Sequence, residues 1–332
     1  MKAAYLETTG SPDVIRVGEL PTPTPKPGQV LVKVGSAALN PVDAYLRAGL
    51  VTMPMPMPFI TGSDFAGTVT AVGDGVKRFQ IGDRVWGSNQ GLMGRQGTFA
   101  EFVAPDEDYC YQTFAGVTDE TAAALALTGI TAWLGLFYRV NLAAGETVFV
   151  NGGTGGVGSL VVQMAKAAGA KVICTVGSDE KVEIARSLGA DTVINYKTAD
   201  VMQTVLDATA GKGVDVFYET QPLSDIDKIV AMTAPFGRIV VMAGRKARPE
   251  FPNGPFYVKG LALFGFAMFN ISAELQRKAA DAINELASSG KLKPLIGARF
   301  ALEHATDAHR LQDDNTLGKA GTLSGKIVIN VE

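Results

Sequence analysis

The chain has 332 residues, 47% hydrophobic and 19% charged, which suits about two domains with sizeable cores and excludes a disordered chain. Thirty basic against thirty-three acidic residues leave a formal net charge of −3, too little positive charge for general nucleic-acid binding. The only cysteines, Cys110 and Cys174, and the only histidines, His304 and His309, exclude a disulfide framework and a four-cysteine zinc site. They fit a reducing, cytoplasmic setting.

Residues 1–7 reach Glu7 before any apolar run forms, so no secretory signal is expected. Residues 14–20 and 29–34 read as short strands on either side of a proline-dense extended connector at 21–27. Residues 66–72 and 97–103 continue the β pattern, with Gly73-Asp74 and Gly82-Asp83 as turn signals. The prediction is a partly open β-barrel. Met53-Pro54-Met55-Pro56-Met57-Pro58 reads as a semi-rigid loop, with a substrate rim as the alternative.

The uncharged run 121–138 reaches the length of a membrane span, but it is rich in Ala, Thr and Gly and flanked by Asp119, Glu120 and Arg139. It predicts a buried helix pair, and no membrane partner is expected. From about residue 118 apolar strands at 147–151, 171–176, 191–195, 214–219 and 238–243 alternate with amphipathic helices such as 159–168 and 179–188. That alternation predicts a parallel sheet covered on both faces. A polar helix at 274–289 and a last strand at 325–331 resemble the first third. The expected division is therefore 1–121 with 270–332 as one domain and 122–269 inserted between.

The strongest local signal is Gly153-Thr154-Gly155-Gly156-Val157-Gly158, a Gly-x-Gly-x-x-Gly turn between a strand and a helix. In that setting Gly153 permits the tight turn, Gly155 admits a pyrophosphate, and Gly158 allows close helix packing. The helix N-terminus offers N–H groups to the phosphates. At the end of the second strand, Gly177 stands where an NAD site carries an acid, and Ser178 and Lys181 suit a 2′-phosphate, which favours NADPH. Asp179 and Glu180 fit the first turn of a helix. Lys181 also reads as a solvated helix residue paired with a carboxylate.

The domain order, the segment Gly62-Ser63-Asp64-Phe65-Ala66-Gly67, Gly82-Asp83-Arg84-Val85, the glycine turn and the ending Ser324-Gly325-Lys326-Ile327-Val328-Ile329 resemble medium-chain dehydrogenases/reductases. Across essentially the whole chain the resemblance is to their zinc-free quinone oxidoreductase branch, which includes ζ-crystallin. It implies a Rossmann doubly wound parallel sheet domain inserted into a GroES-like partly open β-barrel catalytic domain. The Gly-His-Glu metal motif of zinc alcohol dehydrogenases appears here as Gly62-Ser63-Asp64, and their first ligand cysteine falls near Asn40. The cysteine-rich structural lobe is absent too, so no metal is expected.

Residue by residue, the resemblance places Asn40, Asp43, Tyr45 and Arg47 along the nicotinamide and substrate side. Tyr45 and Asn40 are the catalytic candidates, and Asp43 and Arg47 the substrate contacts. Thr131 matches a carboxamide contact, Lys181 and Tyr196 match 2′-phosphate contacts, and Gly244, Phe264 and Phe266 lie beside the nicotinamide ribose. Two further readings stand: Asp43 and Arg47 pair across one helical turn, and Tyr45 is a core tyrosine. Cys174 reads as a small buried hydrophobe, and the two histidines as structural or solvated.

The implied function is NADPH-dependent quinone reduction by direct, zinc-independent hydride transfer in the interdomain cleft. Reduction of α,β-unsaturated carbonyl or enoyl thioester double bonds is one alternative, and a non-enzymatic NADPH-binding protein of the crystallin type is another. A homodimer is implied, through the edge strands of the nucleotide domains, with residues 261–269 as the candidate edge.

Overall fold

The computed structural model describes residues 1–222 and 224–331. The chain divides into two units: Met1–Ile130 together with the segment from Ile271 onward, and Thr131–Asn270.

The first unit opens with β1 (Lys2–Leu6), β2 (Arg16–Glu19) and β3 (Val30–Leu39). In β3, Val30, Val32 and Val34 are buried in alternation, and Ala37, Ala38 and Leu39 are then all buried. The one-faced strand thus becomes enclosed on both sides as it runs into α1 (Pro41–Arg47). There follow β4 (Phe59–Ile60), β5 (Asp64–Val72), β6 (Arg84–Gly87), β7 (Phe102–Val103) and β8 (Cys110–Gln112). The strand predicted over 97–103 shrinks to β7. The backbone N–H groups of Gly97, Thr98 and Phe99 bond to the carbonyls of Ile60 and Thr61 in an irregular packing.

The run predicted as a helix pair is one element. Helix α2 (Asp119–Trp133) continues into a π-helical turn, Leu134–Arg139, despite Gly129 and Gly135. A helical glycine costs only about 1 kcal/mol, and burial of the apolar stretch outweighs it. Gly135 is there because Tyr218 fills the space: a Cβ would lie 2.1 Å from the tyrosine oxygen. That hydroxyl donates to the Thr131 carbonyl at 3.1 Å.

The second unit carries six parallel strands: β9 (Thr147–Asn151), β10 (Lys171–Val176), β11 (Thr192–Asn195), β12 (Val214–Glu219), β13 (Thr233–Val241) and β14 (Ala262–Gly265). Their order is β11-β10-β9-β12-β13-β14. Helices α3 (Gly156–Ala167), α4 (Asp179–Ser187), α5 (Val201–Ala208), α6 (Ile226–Met232) and α7 (Asn253–Val258) connect them. Chain order reverses between β9 and β12, and in such sheets ligands bind at the carboxyl ends of the strands flanking that switch point. β14 is an edge strand, within the stretch the sequence offered as an edge. β13 starts five residues earlier than the apolar pattern predicts, with an irregularity in its pairing to β12.

The chain returns to the first unit through α8 (Ala273–Ser288), β15 (Ile296–Ala301), α9 (Ala305–Thr316) and β16 (Lys326–Asn330). β16 pairs antiparallel with β3, setting Ile327 opposite Leu39. The sheet runs β15-β16-β3-β5-β6-β8, around a core that includes Val32, Phe65, Phe99, Ile327 and Ile329.

Candidate functional site

The glycine turn leaves β9, whose Val148, Phe149 and Val150 are buried, and enters α3 with Gly155 as N-cap. The left-handed residue is Gly152, at φ 91°, where the motif reading gives the tight turn to Gly153. Gly153 is needed for another reason: a Cβ there would stand 2.6 Å from the Cys174 sulfur. A Cβ on Gly158 would meet the Gly152 carbonyl oxygen at 2.0 Å, so the close packing is against the turn itself. Gly155 faces open space, its nearest neighbour being the Gly152 oxygen at 3.5 Å. Thr154 is buried, and Gly156 and Val157 are half-buried in the first turn of α3. An accessible backbone at a helix start, whose first N–H groups have no partner within the helix, suits an anion.

Beneath the turn lies a polar network built from strand ends. Glu219, the last residue of β12, accepts hydrogen bonds from the Asn151 amide at 3.0 and 2.9 Å. Asn151 accepts one from the Thr175 hydroxyl at 2.6 Å, and Thr175 accepts one from the Gly152 N–H at 2.9 Å. Sequence reasoning selects none of the three. The available signal is a polar residue at or next to the end of three adjacent apolar strands.

At the end of β10, Ser178 is the N-cap of α4 but its side chain makes no capping bond. The Tyr196 hydroxyl lies over Gly177, 2.7 Å from where a Cβ would be. The Lys181 ammonium is held below its usual range by burial and then by the nearby charge of Lys197. The structure thus brings Gly177, Ser178, Lys181 and Tyr196 together and adds Lys197, which the sequence reading does not select. Asp179, the acid that complicates a phosphate site, is tied to Asn195 at 2.7 Å.

Thr131 is buried at the head of the π-helical turn. Gly244, at φ 82°, follows β13, and a Cβ there would stand 2.3 Å from the Pro222 carbonyl oxygen. Phe264 is in β14, and Phe266 lies just beyond it, 5.8 Å from the Arg139 guanidinium. Gly244 and Phe266 therefore follow the carboxyl ends of their strands, as the glycine turn follows β9.

In the first unit, Asn40 and Pro41 start α1, and the Asp43 carboxylate accepts the Asn40 backbone N–H at 2.8 Å. Ser63 donates its hydroxyl to the other Asp43 oxygen. The Asn40 amide donates to Asp64 at 2.8 Å, and Asp64 also takes the Leu127 N–H at 3.1 Å. Lys326 reaches in from β16, donating to the Leu39 carbonyl at 2.9 Å and to the Asn40 side-chain oxygen, with Asp64 at 3.4 Å. All five side chains are buried. Burial pushes the Asp43 carboxyl up to about 7, against the opposing Ser63 and Asn40 bonds. It raises Asp64 and lowers Lys326, each partly offset by the other's charge.

Arg47 does not pair with Asp43. It is 1% exposed and bonds Asp313 of α9 and the Gly10 carbonyl, both at 2.5 Å. Asp43 is turned back onto the start of its own helix, so the four-residue spacing goes unused. Of the four predicted residues on this segment, Tyr45 alone keeps accessible surface. His309, expected to be structural or solvated, is wholly buried beside Thr61 and Phe99, and burial holds its imidazole down at about 3. His304 is exposed beside Asp307.

Asn40 and Ser63 stand where the zinc enzymes carry ligands, and this set does not fit a zinc ion. Asn40 and Asp64 already hold an ammonium, Ser63 is committed to Asp43, and no thiolate or imidazole is among them. Among the described residues no group of three or more His, Cys, Asp or Glu is placed to hold a metal.

Residues 26–115 match the model of the alcohol dehydrogenase GroES-like domain, and residues 156–285 that of the zinc-binding dehydrogenases. The chain is 31% identical to a quinone oxidoreductase of Rattus norvegicus, over 96% of both chains. Among solved structures it resembles an NAD-dependent alcohol dehydrogenase, at TM-score 0.90 and 31% identity over 100% of both chains. It also resembles the Escherichia coli quinone oxidoreductase complexed with NADPH, at TM-score 0.86 and 26% identity over 100% of both. By sequence, by fold and by the arrangement of its glycine turn, the chain belongs to the medium-chain dehydrogenase/reductase family, in its quinone oxidoreductase branch.

Proposed function

We propose that the protein is an NADPH-dependent reductase of quinones that works by direct, zinc-independent hydride transfer. The observation that carries the coenzyme choice is the group around Gly177: an uncapping serine, a tyrosine hydroxyl and two lysines close enough to repel, with no acid in the ribose position. Two ammonium groups that disfavour each other are a site that gains by taking up a phosphate.

NADPH supplies the hydride when bound. Gly155 and the α3 N-terminus receive the pyrophosphate, while Ser178, Lys181 and Tyr196, with Lys197, receive the 2′-phosphate. Thr131, Gly244, Phe264 and Phe266 line the nicotinamide end. Tyr45 is the group that touches the acceptor oxygen. Asn40, Asp43 and Arg47, being enclosed, act by fixing α1 and not by contact with substrate.

The absence of zinc from the reaction is supported by Lys326, which occupies the amide and carboxylate that a metal would need. An acceptor reduced without a Lewis acid must already be electrophilic, as a quinone is. The exposed Leu263 on the edge strand β14 supports a homodimer joined there.

The test follows absorbance at 340 nm with NADPH or NADH and with a simple quinone or an α,β-unsaturated ketone. Rapid quinone-dependent oxidation of NADPH, unchanged by a chelator, is the expected result. Turnover with the enone alone moves the assignment to double-bond reduction. NADPH binding without turnover leaves a binding protein, and loss of activity with the chelator overturns the metal-free reading. A monomer at micromolar concentration in a sizing measurement overturns the dimer.

A further inference from the structure

We propose that Glu219 is a positioning residue for dinucleotide binding, holding the glycine turn in its phosphate-receptive shape through Asn151 and Thr175. This rests on the reading of that turn as the NADPH pyrophosphate site.

A run of four glycines and a threonine has little conformational preference of its own, so the shape of residues 152–156 must be imposed from outside. Three contacts impose it. The Gly153 N–H bonds the Thr175 carbonyl at 2.9 Å, and the Gly152 N–H bonds the Thr175 hydroxyl. The segment after β12 presses on the turn, since a Cβ at Gly152 would stand 2.3 Å from the Gln221 amide nitrogen and 2.9 Å from the Thr220 hydroxyl oxygen.

The hydrogen bonds form a directed chain. Gly152 donates to Thr175, Thr175 donates to Asn151, and Asn151 donates to Glu219. The Gln221 N–H also donates to Glu219, at 2.7 Å. The Thr220 hydroxyl donates to the Asn151 carbonyl, closing the β12 end onto the β9 end. Each donor in the chain points toward the carboxylate, which is a pure acceptor. The ionised carboxylate therefore sets which way the Asn151 amide faces, and that amide, by taking the Thr175 proton, orients the hydroxyl so that a lone pair faces the Gly152 N–H. A protonated acid or a glutamine turns one of the two acceptor oxygens into a donor facing the Asn151 amide and so weakens its hold on the chain.

Glu219 is 2% exposed, and its partners Asn151, Thr220 and Gln221 are all neutral. Among the described residues no ion pair accounts for a carboxylate here. Burial pushes it up to about 7, opposed by the three groups that donate to it. A buried carboxylate that gathers the Asn151 amide and the Gln221 N–H at the switch point of the sheet is placed to brace the turn beside it.

The test compares wild type with Glu219→Gln by NADPH fluorescence titration, steady-state kinetics and thermal unfolding. The expected result is a rise of about tenfold in Kd and KM for NADPH, the loss of one charge-assisted hydrogen bond. The kcat and the KM for the quinone stay within about twofold, since the acceptor makes no contact with this chain of bonds. NADPH affinity of the wild type falls as pH drops below about 7, and the difference between wild type and E219Q closes there. The 2′-phosphate titrates in a similar range but identically in both proteins, so the difference is the readout.

Thr175→Val cuts the same chain without touching the carboxylate. It should raise Kd in the same direction, and it carries the test if E219Q does not fold. Unchanged NADPH affinity in E219Q, or in T175V should E219Q be unfolded, overturns the proposal, as does a fall in kcat and Tm accompanied by a parallel rise in KM for both NADPH and the quinone. Failure of the wild type to bind NADPH at all overturns the functional reading instead.

Discussion

The ammonium of Lys326 stands 3.4 Å from the carboxylate of Asp64, 262 positions earlier in the chain, and both groups are out of solvent. Removing one member of a buried pair strands the other and costs about 3–5 kcal/mol. Lys326→Met should lower the stability of the first unit by that order, read as a shift of the urea midpoint. Adding Asp64→Asn should recover a good part of it. Equal stability of the single and double variants would show that the pair is not coupled.

Two buried groups beside α1 pull the pH dependence in opposite directions. Asp43 rises from 3.8 to about 7 in the folded protein, so between those values the native state holds a proton that the unfolded chain has lost. Stability due to Asp43 therefore falls as pH rises from about 4 to 7. His309 drops from 6.5 to about 3, so the unfolded chain binds the extra proton and stability falls as pH drops below 6.5. Asp43→Asn should flatten the first slope, leaving the part that Glu219 and Asp64 contribute, and His309→Phe should remove the second. Denaturation midpoints between pH 4 and 7.5 would show both, and a slope in D43N as steep as that of the wild type would refute the assignment.

Gly155 and Gly158 separate binding from folding. A methyl at 155 meets only open space at ordinary contact distance, whereas a methyl at 158 collides with the Gly152 carbonyl. Gly155→Ala should keep Tm within a degree or so of wild type while weakening NADPH, because the added methyl stands where phosphate must approach. Gly158→Ala should lose about 1–3 kcal/mol of stability together with NADPH binding. Titration alongside thermal unfolding distinguishes them, and an equal loss of Tm in both would contradict the packing.

Lys181 and Lys197 should matter to NADPH and not to NADH. Each charge-assisted contact to a phosphate contributes about 1.5–3 kcal/mol. Lys181→Ala should therefore raise KM for NADPH about tenfold or more, leaving KM for NADH nearly unchanged. Lys197→Ala should act in the same direction more weakly, being on the exposed side. Equal effects on both coenzymes would remove these lysines from the 2′-phosphate site.

What the chain discloses follows from how local each feature is. The strands β9, β10 and β12 carry their bounds in their own apolar runs, and the glycine turn announces its use by sitting between a strand and a helix. The run 121–138 reads as a helix pair but folds as one element across Gly129 and Gly135, and the Tyr218 ring explains the second of these glycines. Burial of His309 is written in the sequence, for Ala305, Ala308, His309 and Gln312 form one face of α9; the polarity of their neighbours hides it. The Asn40–Asp64–Lys326 group was out of reach, since nothing local joins a helix start to a strand 286 residues on. In the sequence Glu219 reads as any acid at the end of a strand, and only the donors that the fold brings around it set it apart.

The placement of β16 separates the order in which this protein is made from the order in which it is finished. A ribosome that has delivered everything up to α9 has released a barrel with the β3 edge bare and Asp64 without its counter-charge. Exposed strand edges recruit other chains, so the β3 edge is open to wrong partners until residues 326–330 pair with it. β3, made early, gains its neighbour on that side only when β16 arrives.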